Sequence, residues 1–471
     1  MERYDVAVLG GGAAGMTVAS GVLQFGQKAI LLEKNALGGD CLFYGCVPTK
    51  TLVHSAKIMA QVQQGRKYGI DIERVEVNFN RVLERMREVV AHIQTHDQPE
   101  RFTKMGGEVS LGDVQFLDEH RLMIDERTIE AKKIVLATGA RPFLPPIEGL
   151  STVPYYTYET IGQMKRLPAT MAILGAGPIG IEFAQIFARL TTKVIVIEAN
   201  ERLLPREDQE IVQVVRESLE SEKITLNFFT KVKSIKQTQD KITVVITKQD
   251  EEQTLTVDAL LVATGRIPNV HVEGIQKIGL LDATGKLAVD PYLRTKLAHI
   301  FAAGDVKGGM QFTHVAGYDG KTVVRNLLFL GRQKADYRVV PAVTYTDPEV
   351  AHVGLTEEEV VKSGREYFTY KTHFADVDRA VIDDVTHGMV KVLVDTKGKL
   401  LGAHIVGSHA GELIAPLVFA MRYHHSLGDF SRVIHAYPTM MEGIVQTSHR
   451  YWQKILFDSP LPWWMQVVRR R

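Results

Sequence analysis

The chain has 471 residues, a formal charge of +1 at neutral pH and 45% hydrophobic residues. Such a length exceeds one compact core and points to two to four domains, while the near-zero charge removes any global electrostatic case for binding nucleic acid or an acidic polymer. Only two cysteines are present, Cys41 and Cys46; they cannot staple so long a chain, so a bridge between them would serve chemistry rather than stability, in keeping with a reducing compartment. The opening MERYDVAVLGGG runs straight into a strand without the marks of a secretory leader, and no stretch reaches membrane-spanning length, so a soluble, cytoplasmic protein is expected.

In chain order, YDVAVLGGGAAGMTVASGVLQFGQKAILLEK reads strand, tight turn, helix, strand. The turn carries Gly10, Gly12 and Gly15 in GxGxxG spacing, with Glu33 ending the next strand. In such a unit the first glycine permits the sharp turn, the second lets backbone amides approach a pyrophosphate, and the third allows close packing of the helix. Glu33 is then placed to accept hydrogen bonds from ribose hydroxyls. The two cysteines follow in GGDCLFYGCVPTK. Next come an amphipathic helix near Phe79 to Thr95 and short strands ending in IVLATGARPFLPPIEG.

A second copy of the unit, ATMAILGAGPIGIEFAQIFARLTTKVIVIEAN, carries Gly175, Gly177 and Gly180 and ends on Glu198. An acid at that position suits a free 2′-hydroxyl and repels a 2′-phosphate, which favours NADH over NADPH, although Arg202 stands close by. Strand patterns follow in KITVVITKQ, ALLVATGRIPN and HIFAAGDV. From about Pro341 the pattern changes to that of a separate α+β domain, with a strand in GMVKVLVD and an apolar helix near Glu412 to Arg422.

Five residues of regular helix would advance about 7.5 Å, beyond the roughly 7 Å Cα separation that a disulfide tolerates. A bridge between Cys41 and Cys46 therefore needs a distorted turn. Gly45 accepts unusual dihedrals and Pro48 fits the first turn of a new helix. The amide end of that helix and a nearby cation, Lys50, would lower a thiol pKa and raise the fraction of reactive thiolate. Two inert, buried structural cysteines are the alternative, and the Gly, Asp and Lys neighbours argue against it.

GGDCLFYGCVPTK resembles the redox-disulfide motif of the FAD-dependent pyridine nucleotide-disulfide oxidoreductases, the family of dihydrolipoamide dehydrogenase, glutathione reductase and mercuric reductase. The amino-terminal nucleotide turn, ATGARP, the second turn, ATGRIPN, IFAAGDV and PAVTYTDPEVAHVGLTE follow in the family's order, so the likeness covers nearly the whole chain. It implies an α/β fold with two Rossmann-like domains, for FAD at 1–149 plus 272–338 and for NAD at 150–271, and an α+β dimerisation domain at 339–471. It further implies electron flow from NADH through FAD to a Cys41–Cys46 disulfide. Cys46 would be the flavin-side thiolate and Cys41 the thiol that attacks substrate. Lys50 would lie near the flavin, paired with Glu182, and Asp305 would bind the ribityl chain. Gly139 of ATGARP and Gly265 of ATGRIPN would line the cofactor sites.

The family's His-Pro-Thr-x-x-Glu motif, which acts from the partner subunit of a homodimer as an acid/base pair, here reads IHAYPTMMEG. Pro438, Thr439 and Glu442 match, but Tyr437 replaces the histidine and His435 lies two positions earlier. A phenol titrates near 10 rather than near neutrality, so Tyr437 suits proton donation and not general base work. That substitution resembles mercuric reductase, yet the chain lacks the vicinal cysteines those enzymes carry at the carboxyl end, and their amino-terminal metal-binding domain. The expected acceptor is a disulfide or a soft metal, in a mercuric-reductase-like site; dihydrolipoamide dehydrogenase and an NADH:quinone or other flavin reductase are the alternatives. No resident metal is expected, since His424 and His425 have no spaced Cys or Asp to complete a site. The tail, with Trp452, Trp463, Trp464 and Arg469 to Arg471, is expected to pack over the dimer rather than dock on an anionic membrane.

Overall fold

A computed structural model describes residues 1–458; Trp463, Trp464 and Arg469 to Arg471 of the tail lie outside the described residues. The chain divides into two compact units. The first comprises Met1–Gly175, Val232–Thr247 and Glu252–Asp336; the second comprises Ala176–Lys231, Lys248–Glu251 and the chain from Tyr337 onward.

In the first unit, strand β1 (Glu2–Leu9) leads into helix α1 (Ala13–Gln24) and strand β2 (Ala29–Glu33). Short helix α2 (Gly39–Phe43) is followed by α3 (Cys46–Gln63) and α4 (Phe79–Gln94). Strands β3 (Glu108–Leu111), β4 (Val114–Phe116), β5 (Arg121–Ile124) and β6 (Arg127–Leu136) complete the run. They form one sheet of order β3-β2-β1-β6-β5-β4, in which Ile300–Ala302 returns to pair in parallel with β6. The continuous apolar run Val6 to Leu9 is buried throughout, as a strand between two parallel neighbours and covered on both faces requires. Helix Thr313–Leu328 packs on α1, so chain from both ends of this unit builds one layer around the first glycine turn. Asn78 caps α4 by accepting from the Arg81 amide, and Phe79, Leu83 and Met86 form its buried stripe, which accounts for the amphipathic pattern read from the sequence. Thr170–Leu174 pairs in parallel with Ala259–Val262.

In the second unit, helix Pro178–Arg189 precedes strand Lys193–Ile197, which pairs in parallel with Thr225–Asn227. Downstream lies an antiparallel sheet, in the order Ala342–Thr344, Glu349–Gly354, Leu400–Gly407, Met389–Val394, Phe368–His373. Helix Ala410–Arg422 and helix Glu442–Gln453 cover it, around a core that includes Phe374, Ile405, Leu417 and Ile444.

One charged cluster sits inside this second unit. Lys391, on the interior strand Met389–Val394, is 1% exposed, and its Nζ lies 2.8 Å from Asp208 Oδ1 and 2.7 Å from Glu357 Oε2. Both acids stand at helix N-termini: Asp208 caps Gln209–Ser221, and Glu357 opens Glu357–Lys362. Lys391 therefore pins two helices to the sheet. Burial is the largest single influence and would raise both carboxyls, but the hydrogen bond and charge of Lys391 together with the other hydrogen bonds each acid accepts outweigh it, so Asp208 and Glu357 are both lowered. Because both folded-state values are depressed, the cluster's contribution is complete above the ordinary carboxylate range and is lost as pH falls through the folded values. Replacing Lys391 by Met leaves the buried Asp208 carboxylate without its cation, and the expected loss is about 3–5 kcal/mol. The measurement is urea unfolding at neutral pH and again in acid, where the gap between Lys391→Met and wild type should shrink.

Candidate active site

The first glycine turn is shaped by contacts that only glycine permits. Gly10 has φ +107°, and a Cβ there would lie 2.2 Å from the Ala137 carbonyl oxygen; a Cβ on Gly15 would lie 1.8 Å from the Gly10 carbonyl oxygen. Gly12 differs, since its Cβ would meet nothing closer than Gly39 Cα at 3.7 Å. Helix α1 begins at this turn with no side-chain cap and no acid in its first turn, so its leading amides face an open cradle suited to a phosphate. Glu33 Oε2 accepts from the Gly11 amide at 2.6 Å and Oε1 from the Asn35 amide at 3.0 Å. An ionised carboxylate has about four acceptor positions, so capacity remains for a ribose diol.

The second turn repeats this wiring. Gly175 has φ +104°, a Cβ on Gly177 would meet nothing within 4 Å, and Gly180 is buried in a helix that likewise starts without a side-chain cap. Glu198 Oε2 accepts from the Ala176 amide at 2.8 Å, the position equivalent to Gly11, and Oε1 accepts from the Asn200 amide at 2.8 Å. Arg202 is turned to Glu358, with Nη1 to Oε1 at 2.7 Å. Gly139 and Gly265 both have positive φ, +73° and +131°, with open space where a Cβ would stand.

The cysteine segment is laid directly against the first turn. A Cβ on Gly39 would come within 2.7 Å of Gly12 Cα, which explains the glycine pair ahead of Asp40. The helical path breaks between the two cysteines: Cys41 belongs to α2, Tyr44 leaves the helix at φ −132°, Gly45 takes φ −88° and ψ −102°, and Cys46 opens α3. Pro48 falls in the first turn of α3, where its missing N–H forfeits no hydrogen bond. The two cysteine side chains stand together in a near-disulfide arrangement, in keeping with the expected redox pair, and as thiols they share a hydrogen bond. Thr313 Oγ1 lies 3.5 Å from Cys46 Sγ.

The shared hydrogen bond splits the two acidities. It lowers Cys46 to about 6, with help from Thr313 and the Lys50 charge one turn along the helix, against burial. It raises Cys41, and burial adds to the rise. The reduced pair is thus a thiol at Cys41 donating to a thiolate at Cys46.

Arg266, which sequence reasoning passed over, links this segment to the predicted ribityl-binding acid. Its Nη1 lies 2.8 Å from Asp305 Oδ2, its Nη2 donates to Asp40 Oδ2 at 2.8 Å, and its Nε donates to the Tyr158 hydroxyl at 3.1 Å. The signal was present, as charged residues set inside the glycine-rich strings GGDC and ATGRIPN.

The remaining predicted residues lie in the second unit. Glu182 is 3% exposed and accepts from the Tyr345 amide at 2.8 Å, while Lys50 belongs to the first unit. The Tyr437 side chain is exposed, and its hydroxyl donates to Asp378 at 2.8 Å rather than to Glu442; that bond raises its pKa. Glu442 accepts from Gln446 at 3.0 Å through Oε1, and its buried Oε2 has no hydrogen-bond partner among the described residues. His435 Nε2 meets the Phe430 carbonyl at 2.9 Å. Trp452 is half-buried and donates to the Gly428 carbonyl. Among the described residues no group of three or more His, Cys, Asp or Glu side chains could hold a metal ion, and no helix is long and apolar enough to cross a membrane.

Residues 4–320 match the family model for pyridine nucleotide-disulphide oxidoreductases, and residues 340–448 match the dimerisation domain of the same family. The chain belongs to the pyridine nucleotide-disulphide oxidoreductases. It is 31% identical to a mercuric reductase of Staphylococcus aureus over 94% of this chain and 81% of that protein. It is 32% identical to the dihydrolipoyl dehydrogenase of Bacillus subtilis (strain 168) over 94% of this chain and 96% of that protein. Among solved structures, the Cu(II) complex of the HOCl-induced flavoprotein disulfide reductase RclA from Escherichia coli superposes with a TM-score of 0.86 at 30% identity, over 96% of this chain and all of that one. Enzymes of this family are oxidoreductases that use FAD and NAD(P)H, and the matched dimerisation domain indicates homodimer formation. The open cradle at Gly12, the uncapped start of α1 and the spare acceptors of Glu33 fit the adenosine diphosphate part of FAD.

Titration of the reduced protein by ultraviolet thiolate absorbance should show one cysteine ionising near pH 6, its thiolate lost as pH falls below that value. Cys41→Ala removes the hydrogen-bond donor and Lys50→Met removes the cation, so each should move that midpoint upward, toward the ordinary thiol value of about 8.5.

Proposed function

We propose that this chain is an NADH-dependent flavoprotein reductase that carries two electrons through the Cys41–Cys46 pair to a disulfide or a soft-metal acceptor, with a mercuric-reductase-like site. The observation that carries the reading is the cysteine pair brought together by a broken helix and laid against the first nucleotide turn. FAD, when bound, accepts two electrons from the nicotinamide and delivers them to sulfur. On this reading Gly10, Gly12, Gly15 and the start of α1 hold its pyrophosphate, Glu33 a ribose, and Asp305 the ribityl chain. Lys50, paired with Glu182, stands at its ring, and Gly139 and Gly265 line the cofactor sites. We assign 1–149 and 272–338 to FAD, 150–271 to NAD, and 339–471 to dimerisation, in a cytoplasmic enzyme.

Gly175, Gly177 and Gly180 take the nicotinamide dinucleotide, with Glu198 on its adenosine ribose. Glu198 repels a 2′-phosphate, and Arg202, the basic residue close by in sequence, is engaged by Glu358, so NADH is preferred.

Reduction of the S–S bond takes two electrons and one proton and leaves a thiol on Cys41 and a thiolate on Cys46. Cys41 then gives up its proton to solvent and attacks the acceptor. With a disulfide, a mixed disulfide forms on Cys41 and one thiol leaves; Cys46 attacks Cys41, re-forms the bridge and releases the second thiol. Each leaving sulfur needs a proton, and Tyr437 with Glu442, supplied across the homodimer, is the proposed source. Asp378 holds the Tyr437 phenol protonated, which suits donation and not base work. Dihydrolipoamide dehydrogenase is the second reading. His435 would be its imidazole, but that ring is bonded to the Phe430 carbonyl of its own chain.

Anaerobic titration with NADH, followed by reoxidation with lipoamide, oxidised glutathione, Hg(II) and a quinone in parallel, tests the assignment. Hg(II) or a disulfide should restore the oxidised spectrum fastest, and Cys41→Ser should abolish that step while leaving flavin reduction by NADH intact. Retention of most turnover in Cys41→Ser would move the chain to the quinone-reductase class. Two further outcomes are expected in steady-state assays: kcat/KM for NADH above that for NADPH by roughly tenfold or more, as a like-charge contact predicts, and a drop of about a hundredfold in kcat for Tyr437→Phe.

A further inference from the structure

Asp40 has no part in the reading above, yet it is built into the thiol turn from three directions. Its carbonyl accepts the amides of Tyr44 at 2.9 Å and Gly45 at 2.7 Å, which closes the loop between the cysteines. Its Oδ2 accepts from Arg266 at 2.8 Å and lies 3.4 Å from the point a Gly45 Cβ would occupy, a point itself 3.6 Å from Cys41 Cα. Its Oδ1 is buried with no hydrogen-bond partner among the described residues.

The charge count around it is uneven. Arg266 is bracketed by Asp40 and Asp305, and all three side chains are largely withdrawn from solvent, at 14% exposure for Arg266, 27% for Asp40 and 14% for Asp305. One guanidinium cannot neutralise two carboxylates, so the trio keeps one surplus negative charge beside the sulfurs. Tyr158 and Glu159 also face Asp40; burial raises both, and the Asp40 charge raises them further. On the sulfur side, Cys46 faces the Cys41 thiol, the Thr313 hydroxyl and the Lys50 ammonium.

We propose that Asp40 is a positioning residue of the thiol pair, which ties the Cys41–Cys46 turn to Arg266 and, through the surplus charge of the Asp40–Arg266–Asp305 trio, biases the couple toward its bridged, oxidised form. This rests on the reading of the pair as a redox couple. Reducing the bridge adds two electrons and one proton, so the sulfurs gain one net negative charge, and that charge forms next to the trio. Lys50 stabilises it and Asp40 opposes it, in agreement with the opposite directions in which the two act on Cys46. The bias has a use in an enzyme that must hand electrons on: the less stable the dithiol, the stronger a reductant it is.

The test uses the FAD-loaded enzyme, equilibrated in glutathione redox buffers at one neutral pH, alkylated, and counted by mass for modified thiols. Asp40→Asn keeps the shape and removes the charge, so half-reduction should need a [GSH]²/[GSSG] ratio about three- to tenfold lower than wild type, the size of one screened unit charge at several ångströms. Asp40→Glu, which restores the charge, should return the midpoint to within about twofold of wild type. Should Asp40→Asn fail to accumulate as soluble holoenzyme, Asp40→Ser makes the same comparison. A neutral variant whose midpoint stays within twofold of wild type, a shift toward harder reduction, or an equal shift in Asp40→Glu would each overturn the proposal. A wild-type enzyme with no reversible two-thiol couple would instead overturn the redox reading of the pair, and the proposal with it.

Discussion

The contact on which the chemistry depends is the hydrogen bond between the Cys41 and Cys46 side chains. A continuous helix could not make it, because five residues of helical rise carry two sulfurs apart. The chain solves this by ending one short helix at Phe43 and starting another at Cys46, with Gly45 absorbing backbone angles outside the helical basin. The helix break that brings the sulfurs together also sets Cys46 at the amide end of α3, where a thiolate is favoured. Geometry and acidity are therefore set by one local feature. The glycines before it seat the whole segment on the nucleotide turn, since a side chain on Gly39 would run into the backbone of Gly12.

Around that contact the protein arranges opposite charges at controlled distances. Lys50 on α3 favours the thiolate, and Asp40 on α2 disfavours it. Arg266 ties Asp40 to Asp305. In the second unit the same rule recurs without chemistry: Lys391 is tolerated in the sheet because Asp208 and Glu357 surround it, and those acids are tolerated because each also serves a helix start. The two nucleotide turns show a further economy. Glu33 and Glu198 each fasten the amide one residue beyond the first glycine and the amide two residues beyond themselves, so each acid holds its own loop in shape while keeping acceptor capacity for a ligand.

Tyr437 marks where this chain departs from the general family pattern. With Asp378 as its acceptor the phenol is held in its protonated state, whereas an imidazole at that place would exchange protons near neutral pH. On the function proposed above, the change narrows the site from acid/base exchange to proton donation. It does so on a segment whose neighbours, Val433 and Ile434, are exposed apolar residues in the family's dimerisation domain.

By itself the sequence determined the two strand–turn–helix units, because Gly10 and Gly175 take positive φ angles that favour glycine and Gly15 packs on the Gly10 carbonyl of its own turn. It also determined the helix over Phe79 to Gln94, whose apolar stripe is periodic, and the need for a broken path between Cys41 and Cys46, which follows from helical rise alone. Only the tertiary structure decided which charges meet. Asp40 and Arg266 are 226 residues apart, and Lys391 and Asp208 are 183 apart; a pairing energy at such separation depends on sheet order and helix placement, which residue spacing does not encode. For the same reason Arg202 looked free to reach a nucleotide phosphate until the fold turned it to Glu358, and the acidity of Cys46 could be given a direction from Lys50 and the helix end, but its division from Cys41 awaited the contact between the two sulfurs.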